Sequence, residues 1–212
     1  MAVVDYIIDG HVATITINRP KSRNAINSEV AVRLTDAWRD IRDNNNIRVA
    51  ILTGTGSVFC AGADLGQLIP LIAGNRGAEN EWDEKFLADK TIIESALLRE
   101  FDTEKPVIAA INGHAIAGGM EIVQGTDIRV CVPTAKFGVQ EVKHAIFPAG
   151  GSTVRLPTQL PFAKAMELLL TGDLITAEEA LGFGFVNYVS ENILEKANEI
   201  ANKIAANGPI AV

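Results

Sequence analysis

Two short apolar runs constrain this chain most. Residues 48–53, ending at Gly54, and residues 106–111, ending at Asn112-Gly113, carry almost no polar residue and no clear alternation. That is the pattern of strands covered on both faces, as in a parallel sheet flanked by helices. Each run leads into a stretch of glycine and alanine, residues 53–65 and 111–121, so both predict a strand, a loop and then a helix. The neighbouring segments agree. Residues 3–8 and 12–17 are rich in β-branched residues around Asp9-Gly10, which predicts a β-hairpin. Residues 28–42 place Val30, Leu34, Ala37, Trp38 and Ile41 on one helical stripe, with Ser28 as N-cap. Strand, helix, strand then implies a right-handed crossover.

Further along, residues 81–101 predict one long amphipathic helix, 118–124 a short helix and 127–132 a strand. Beyond Pro157, residues 162–170, 177–181 and 191–206 predict helices, with a strand over 184–189 between the last two. The whole reads as one α/β unit with a helical C-terminal portion.

The 212 residues suffice for one sizeable core. A net charge of -7 without a basic stripe argues against nucleic acid as the main partner. The first residues lack the pattern of an export signal, and no apolar run reaches the length of a membrane span. Cys60 and Cys131 lack the spacing of a disulfide framework or zinc site and read as reduced thiols, which predicts a cytoplasmic protein. His11, His114 and His144 are too scattered for a metal centre, so no metal is expected.

Chemistry concentrates on two glutamates twenty positions apart, Glu121 and Glu141, each in an otherwise apolar or glycine-rich stretch. Withdrawal from water destabilises a carboxylate's charged form and raises its pKa, which suits general acid/base work near neutral pH. A structural ion pair is the alternative role for each. The turns Phe59-Cys60-Ala61-Gly62-Ala63-Asp64-Leu65 and Ile116-Ala117-Gly118-Gly119-Met120-Glu121 place small residues where a strand gives way to a helix. Unpaired amides there can converge on one oxygen as an oxyanion hole, or the small residues merely permit close packing. Ser152 in Gly150-Gly151-Ser152-Thr153-Val154 does not fit the GxSxG nucleophile pattern, and no GxGxxG or Walker loop indicates a nucleotide cofactor.

Taken in series, these pieces resemble a known family. Asn18-Arg19-Pro20 with Asn24-Ala25-Ile26-Asn27, the two small-residue turns, Phe137 to Glu141, and Pro148-Ala149-Gly150-Gly151-Ser152-Thr153-Val154-Arg155-Leu156 are similar in order and spacing to the crotonase superfamily, in particular to enoyl-CoA hydratase/isomerase proteins. The resemblance implies a spiral of ββα repeats with a helical C-terminal portion that packs copies into trimers, often paired as hexamers. It places a core domain at 1–190 and the start of an incomplete trimerisation region at 191–212. Acyl-CoA thioesters are the implied substrates, with coenzyme A entering as part of the substrate and no separate cofactor.

By position, the resemblance assigns the Ala63 and Gly118 N–H groups to the thioester oxygen, and Ala25, Ala61, Gly62 and Asp64 to the CoA path, with capping of the next helix as the other role for Asp64. Glu121 becomes the base that activates water and Glu141 the acid that protonates Cα. Ala117 and Ala149 stand where the family often has glycine, and Lys143 and His144 replace apolar residues; His144 reads as a loop residue. The acyl pocket is expected along residues 65–97, including Trp82, Phe86 and Leu87. A double-bond isomerase or another acyl-CoA lyase of the same fold using one carboxylate, and a non-catalytic binding or scaffold protein of that fold, are the competing readings.

Overall fold

The computed structural model describes residues 2–212. Strands β1 (Val4–Asp9) and β2 (Val12–Ile17) form the expected hairpin, turning at Gly10-His11 where Gly10 adopts φ +55°. Helix α1 (Ser28–Asp43) carries the chain to β3 (Val49–Gly54), which pairs parallel to β2. The large sheet is completed by β5 (Val107–Ile111), β7 (Ile128–Cys131) and β10 (Tyr188–Val189), in the order β1-β2-β3-β5-β7-β10. After β3, β5 and β7 the chain enters a second sheet through a short strand: β4 (Val58–Cys60), β6 (His114–Ile116) and β8 (Lys136–Gly138). The antiparallel β9 (Ile175–Thr176) closes that sheet.

Helices α2 (Leu68–Ile72), α3 (Glu81–Ala88) and α4 (Ile92–Ala96) lie between β4 and β5, and α5 (Gly118–Gln124) follows β6. The remaining helices are α6 (Ser152–Gln159), α7 (Phe162–Thr171), α8 (Ala177–Gly182) and α9 (Ile193–Ala205). This repeated passage from large sheet to small sheet to helix is the expected ββα spiral.

The missing alternation in β3 and β5 has a direct cause, because both faces are buried. Ala50, Leu52, Ala109 and Ile111 face the main core, which includes Val30, Leu34, Trp38 and Ile41 of α1. Val49, Ile51, Ile108 and Ala110 face Ile193, Ala197, Ile200 and Ala201 of α9. Burial of a branched aliphatic side chain stabilises the fold by about 1.5–3 kcal/mol, so each strand is held from two sides.

Three local expectations are corrected. Asn27, not Ser28, caps α1 by accepting from Val30 N at 3.0 Å, while the Ser28 hydroxyl donates to buried Asp83 at 2.6 Å. The helix expected over 81–101 breaks into α3 and α4, because the Asp89 carboxylate accepts from Thr91 N (2.9 Å) and Oγ1 (2.6 Å) and offers the backbone a turn instead. After α4 the chain reverses at Leu98, whose φ is +53°. Of the strand expected over 184–189 only Tyr188–Val189 pairs, since the Phe185 and Val186 amides fold back onto the Ala180 carbonyl behind Gly184 (φ +75°). Helices α2 and α6 lack a clear sequence signal; α6 contains Pro157.

Candidate active site

The two small-residue turns meet. At Gly62 (φ +87°) an added Cβ would lie 2.8 Å from the Ala117 Cβ and 2.9 Å from Gly118 N, so only glycine allows this approach. Ala63 bridges Ile26 in parallel: Ile26 N donates to Gly62 O and Asp64 N to Ile26 O, both at 2.8 Å. The pairing uses the flanking groups and turns Ala63's own N–H the other way. Gly118 is the first residue of α5, where an amide has no carbonyl one turn earlier in the helix. Among the described residues neither N–H has an acceptor. The Ala63 amide is in extended backbone, five residues before α2, and not at a helix start as expected. A Cβ built on Gly118 would sit 3.7 Å from Ala63 N, which places the two amides side by side. Ala117, at φ +53° and ψ -127°, occupies a conformation that favours glycine and aims the start of α5.

Glu121 and Glu141 enter the same space from different elements. Glu121 projects from α5 and is 3% exposed; Glu141 opens the 3-10 turn Glu141–His144 and is 8% exposed. Ser152 N donates to Glu121 Oε1 at 3.2 Å. Burial pushes the Glu121 pKa up, and N–H groups of Ser152 and Gly150 oppose that rise. Glu141 Oε2 is buried without a partner among the described residues. Burial first, and the charge of Glu121 second, push Glu141 up to about 7. Among the described residues neither has the cationic partner within salt-bridge distance that a structural ion pair requires.

Both glutamates line a cavity of about 270 Å³ together with Ala61, Ala63, Gly118 and a wall of apolar side chains. Leu65, Leu68, Ile93 and Leu97 contribute to that wall. Trp82, Phe86 and Leu87, expected there, do not: Trp82 stacks under Arg33 and Lys85, Phe86 is buried in the main core, and Leu87 is exposed. The cause is the break at Asp89, which returns α4 rather than α3 to the cavity. His144, read as a loop residue, also lines the cavity.

The other expected CoA contacts lie on the loops framing the cavity. Asp64 caps the turn before α2, accepting from Gly66 N (3.1 Å) and Gln67 N (3.0 Å), and pairs with Arg19 at 3.1 Å. Arg19 also donates to the Ala25 carbonyl, and Ala61 N donates to Arg23 O at 3.1 Å, so Arg19 and its neighbours tie residues 23–26 to residues 61–64. Asn24, fully buried, donates to Thr55 O (2.9 Å) and Val58 O (2.6 Å). Sequence reasoning overlooked these roles of Arg19 and Asn24, although both belong to motifs it singled out. It also missed Gly150, where an added Cβ would overlap the Glu121 carboxylate. Among the described residues no cluster of His, Cys, Asp and Glu could hold a metal ion, and no helix is long and apolar enough to cross a membrane.

Known proteins are similar to this chain in sequence and fold. The chain is 43% identical over 205 residues to an enoyl-CoA hydratase of Mycobacterium tuberculosis, covering 96% of this chain and 74% of that protein. It is 39% identical to a short-chain-enoyl-CoA hydratase of Clostridium acetobutylicum, covering 96% and 76% of the two chains. A crystal structure of an enoyl-CoA hydratase from Mycobacterium tuberculosis H37Rv superposes with a TM-score of 0.87 at 38% identity, covering all of this chain and 79% of that one. The sequence profile of the enoyl-CoA hydratase/isomerase family matches residues 8–212, and the chain belongs to that family.

Proposed function

We propose that this chain adds water across the 2,3 double bond of a 2-enoyl-CoA thioester. The observation that carries the reading is the cavity itself: two buried carboxyl groups with raised pKa values share it with two backbone N–H groups that have no acceptor among the described residues. The hydratase relatives support it. In this reading the thioester oxygen accepts from Ala63 N and Gly118 N, which draws electron density away from Cβ. Glu121, ionised, takes a proton from water as it attacks Cβ. The resulting enolate is held by the two amides, and donors of this kind are each worth about 3–4 kcal/mol in the transition state. Glu141, protonated, delivers a proton to Cα. The two carboxyl groups have then exchanged states, and one proton returned from Glu121 to Glu141 resets the site.

Environment sorts the roles. Glu121 is held toward its charged form by backbone donors, whereas Glu141 lacks a partner for Oε2 and faces the Glu121 charge, so it keeps its proton up to about pH 7. The apolar wall and the small volume favour a short apolar acyl group, and coenzyme A is needed only as part of the substrate. Assembly into trimers belongs to the same reading. Exposed Val154, Phe162 and Leu170 on α6 and α7 offer apolar surface for such contacts.

The test is hydration of crotonyl-CoA, followed by loss of the conjugated double bond, in Glu121→Gln and Glu141→Gln. Each substitution is expected to lower kcat by about 10²–10⁴. Unchanged turnover in both variants removes the assignment. Retained double-bond migration with lost hydration would point to isomerase chemistry instead.

A further inference from the structure

We infer that Arg76, through its ion pair with Asp83, is a specificity-determining positioning residue that fixes α2 as one wall of the cavity and so limits the size of the acyl group. Leu68, Ile69 and Ile72 of α2 line the cavity. Five residues make little more than one helical turn, which is not stable in isolation, so contacts outside α2 must hold it. Leu68 and Leu71 supply one anchor by packing into the main core. Arg76 supplies the other. Behind Gly74, at φ +71°, the chain folds back, and Asn75 N and Arg76 N both donate to Pro70 O, at 2.8 and 3.2 Å. Residues 72–75 and 77–81 are exposed, and between them only Arg76 turns inward.

Its guanidinium spans two elements. Nη1 and Nη2 donate to the two carboxylate oxygens of Asp83 on α3, at 2.6 and 3.0 Å, while Nε donates to the Gln67 carbonyl at the start of α2, at 2.9 Å. Asp83 is a fixed post: fully buried, it also accepts from Ser28 Oγ on α1 (2.6 Å), Glu79 N (3.1 Å) and Asn80 Nδ2 (3.2 Å). Arg76 foremost holds the Asp83 carboxyl well below the usual carboxylate range, so the pair is charged near neutral pH. Neutralising a buried carboxylate is the plain structural role for this arginine. That role does not account for the Nε bond, which leads away from Asp83 to α2. The planar fork grips the carboxylate with two N–H groups while a third points elsewhere at a fixed angle, which the point charge of a lysine cannot do. Asn27 Nδ2 (2.9 Å) and Arg19 Nη2 (3.4 Å) also reach Gln67, but at its rotatable side chain; Arg76 holds the backbone. Movement of α2 away from the core would widen a cavity that is about 270 Å³ when α2 is held.

The inference rests on the proposed hydration, and its test has one readout independent of turnover. Arg76→Lys keeps a cation beside Asp83 and loses the bridge to Gln67. By hydrogen exchange, the amides of residues 68–76 are expected to open about tenfold more readily in this variant, with those of β3 and β5 unchanged. In turnover, KM for crotonyl-CoA is expected to rise about tenfold with kcat changed by less than about twofold, and the kcat/KM preference for crotonyl-CoA over 2-octenoyl-CoA to fall about tenfold. Asp83→Asn, which removes the buried charge together with the grip on Arg76, is expected to give the same local opening and the same loss of preference. Unmoved exchange at residues 68–76, or a rise shared equally by β3 and β5, overturns the inference, because Arg76 then only neutralises Asp83. Local opening with an unmoved substrate preference overturns it as well, since α2 would not set the acyl size. Should the wild type hydrate no enoyl thioester, the proposed function fails, and the exchange pattern still decides whether Arg76 holds α2.

Discussion

Replacing Glu141 by glutamine separates the cost of burying its charge from its role in turnover. The folded carboxyl group releases its proton at about pH 7 and the unfolded one near 4.5. A folded-state pKa above the unfolded value means that folding takes up a proton between those limits, so the wild type loses stability as pH rises from about 4.5 to 7. Below 4.5 the group is neutral in both states and has no effect. At 1.36 kcal/mol per pKa unit the cost above pH 7 is about 3 kcal/mol, and solvent reaching the cavity mouth reduces it to about 2 kcal/mol. Glutamine is nearly isosteric with the neutral acid. Urea unfolding of Glu141→Gln is therefore expected to give stability equal to wild type near pH 4.5 and about 2 kcal/mol higher at pH 8, with hydration lost at both. An equal difference between the two proteins at both pH values would refute the argument, because an uncharged packing effect does not follow the proton. In the proposed mechanism the same titration is expected to set the alkaline limb of turnover, which falls as Glu141 loses its proton, with the acid limb belonging to Glu121; because the groups interact, the two limbs report the pair.

Gly150→Ala is expected to abolish hydration and cost about 1–3 kcal/mol, since the new Cβ would overlap the Glu121 carboxylate and lie 2.6 Å from Leu97 Cδ1; a thermal melt and rate matching wild type would show that residues 150–151 yield freely. Ala117→Gly is expected to stabilise the fold by about 1 kcal/mol in urea unfolding, because strain of about 1–3 kcal/mol at φ +53° is relieved against the added freedom of the unfolded glycine. No gain would mean that Ala117 is unstrained where it sits.

The elements legible in advance are those whose partners matter little to their pattern. Val30, Leu34, Trp38 and Ile41 form a stripe whether or not the sheet beneath is known, and all four are fully buried. The runs at β3 and β5 likewise show two covered faces. The motif order pointed to Glu121 and Glu141 and to the Ala63 and Gly118 turns, and the fold brings these four residues to one cavity. The break at Asp89 was not legible, since residues 81–101 keep helical periodicity across it and a side-chain turn overrides that preference locally. Ser152 was weighed only as a nucleophile, whereas its N–H donates to Glu121 and its hydroxyl accepts from Gln124, contacts to another helix that no local pattern announces.

Residue order alone therefore determined most strands of the large sheet, the stripe of α1 and the acidic pair, because each follows from local periodicity and composition along the chain, while the spiral of ββα units was implied by the family resemblance of the motif series. Tertiary structure decided which amides stay without acceptors, which side chains wall the cavity and which carboxyl group keeps its proton. Those properties come from desolvation and from hydrogen bonds between residues far apart in sequence, as when Ser152 donates to Glu121 across 31 positions while Glu141 Oε2 is buried without a partner. Such differences exist only once the chain has excluded water from between them.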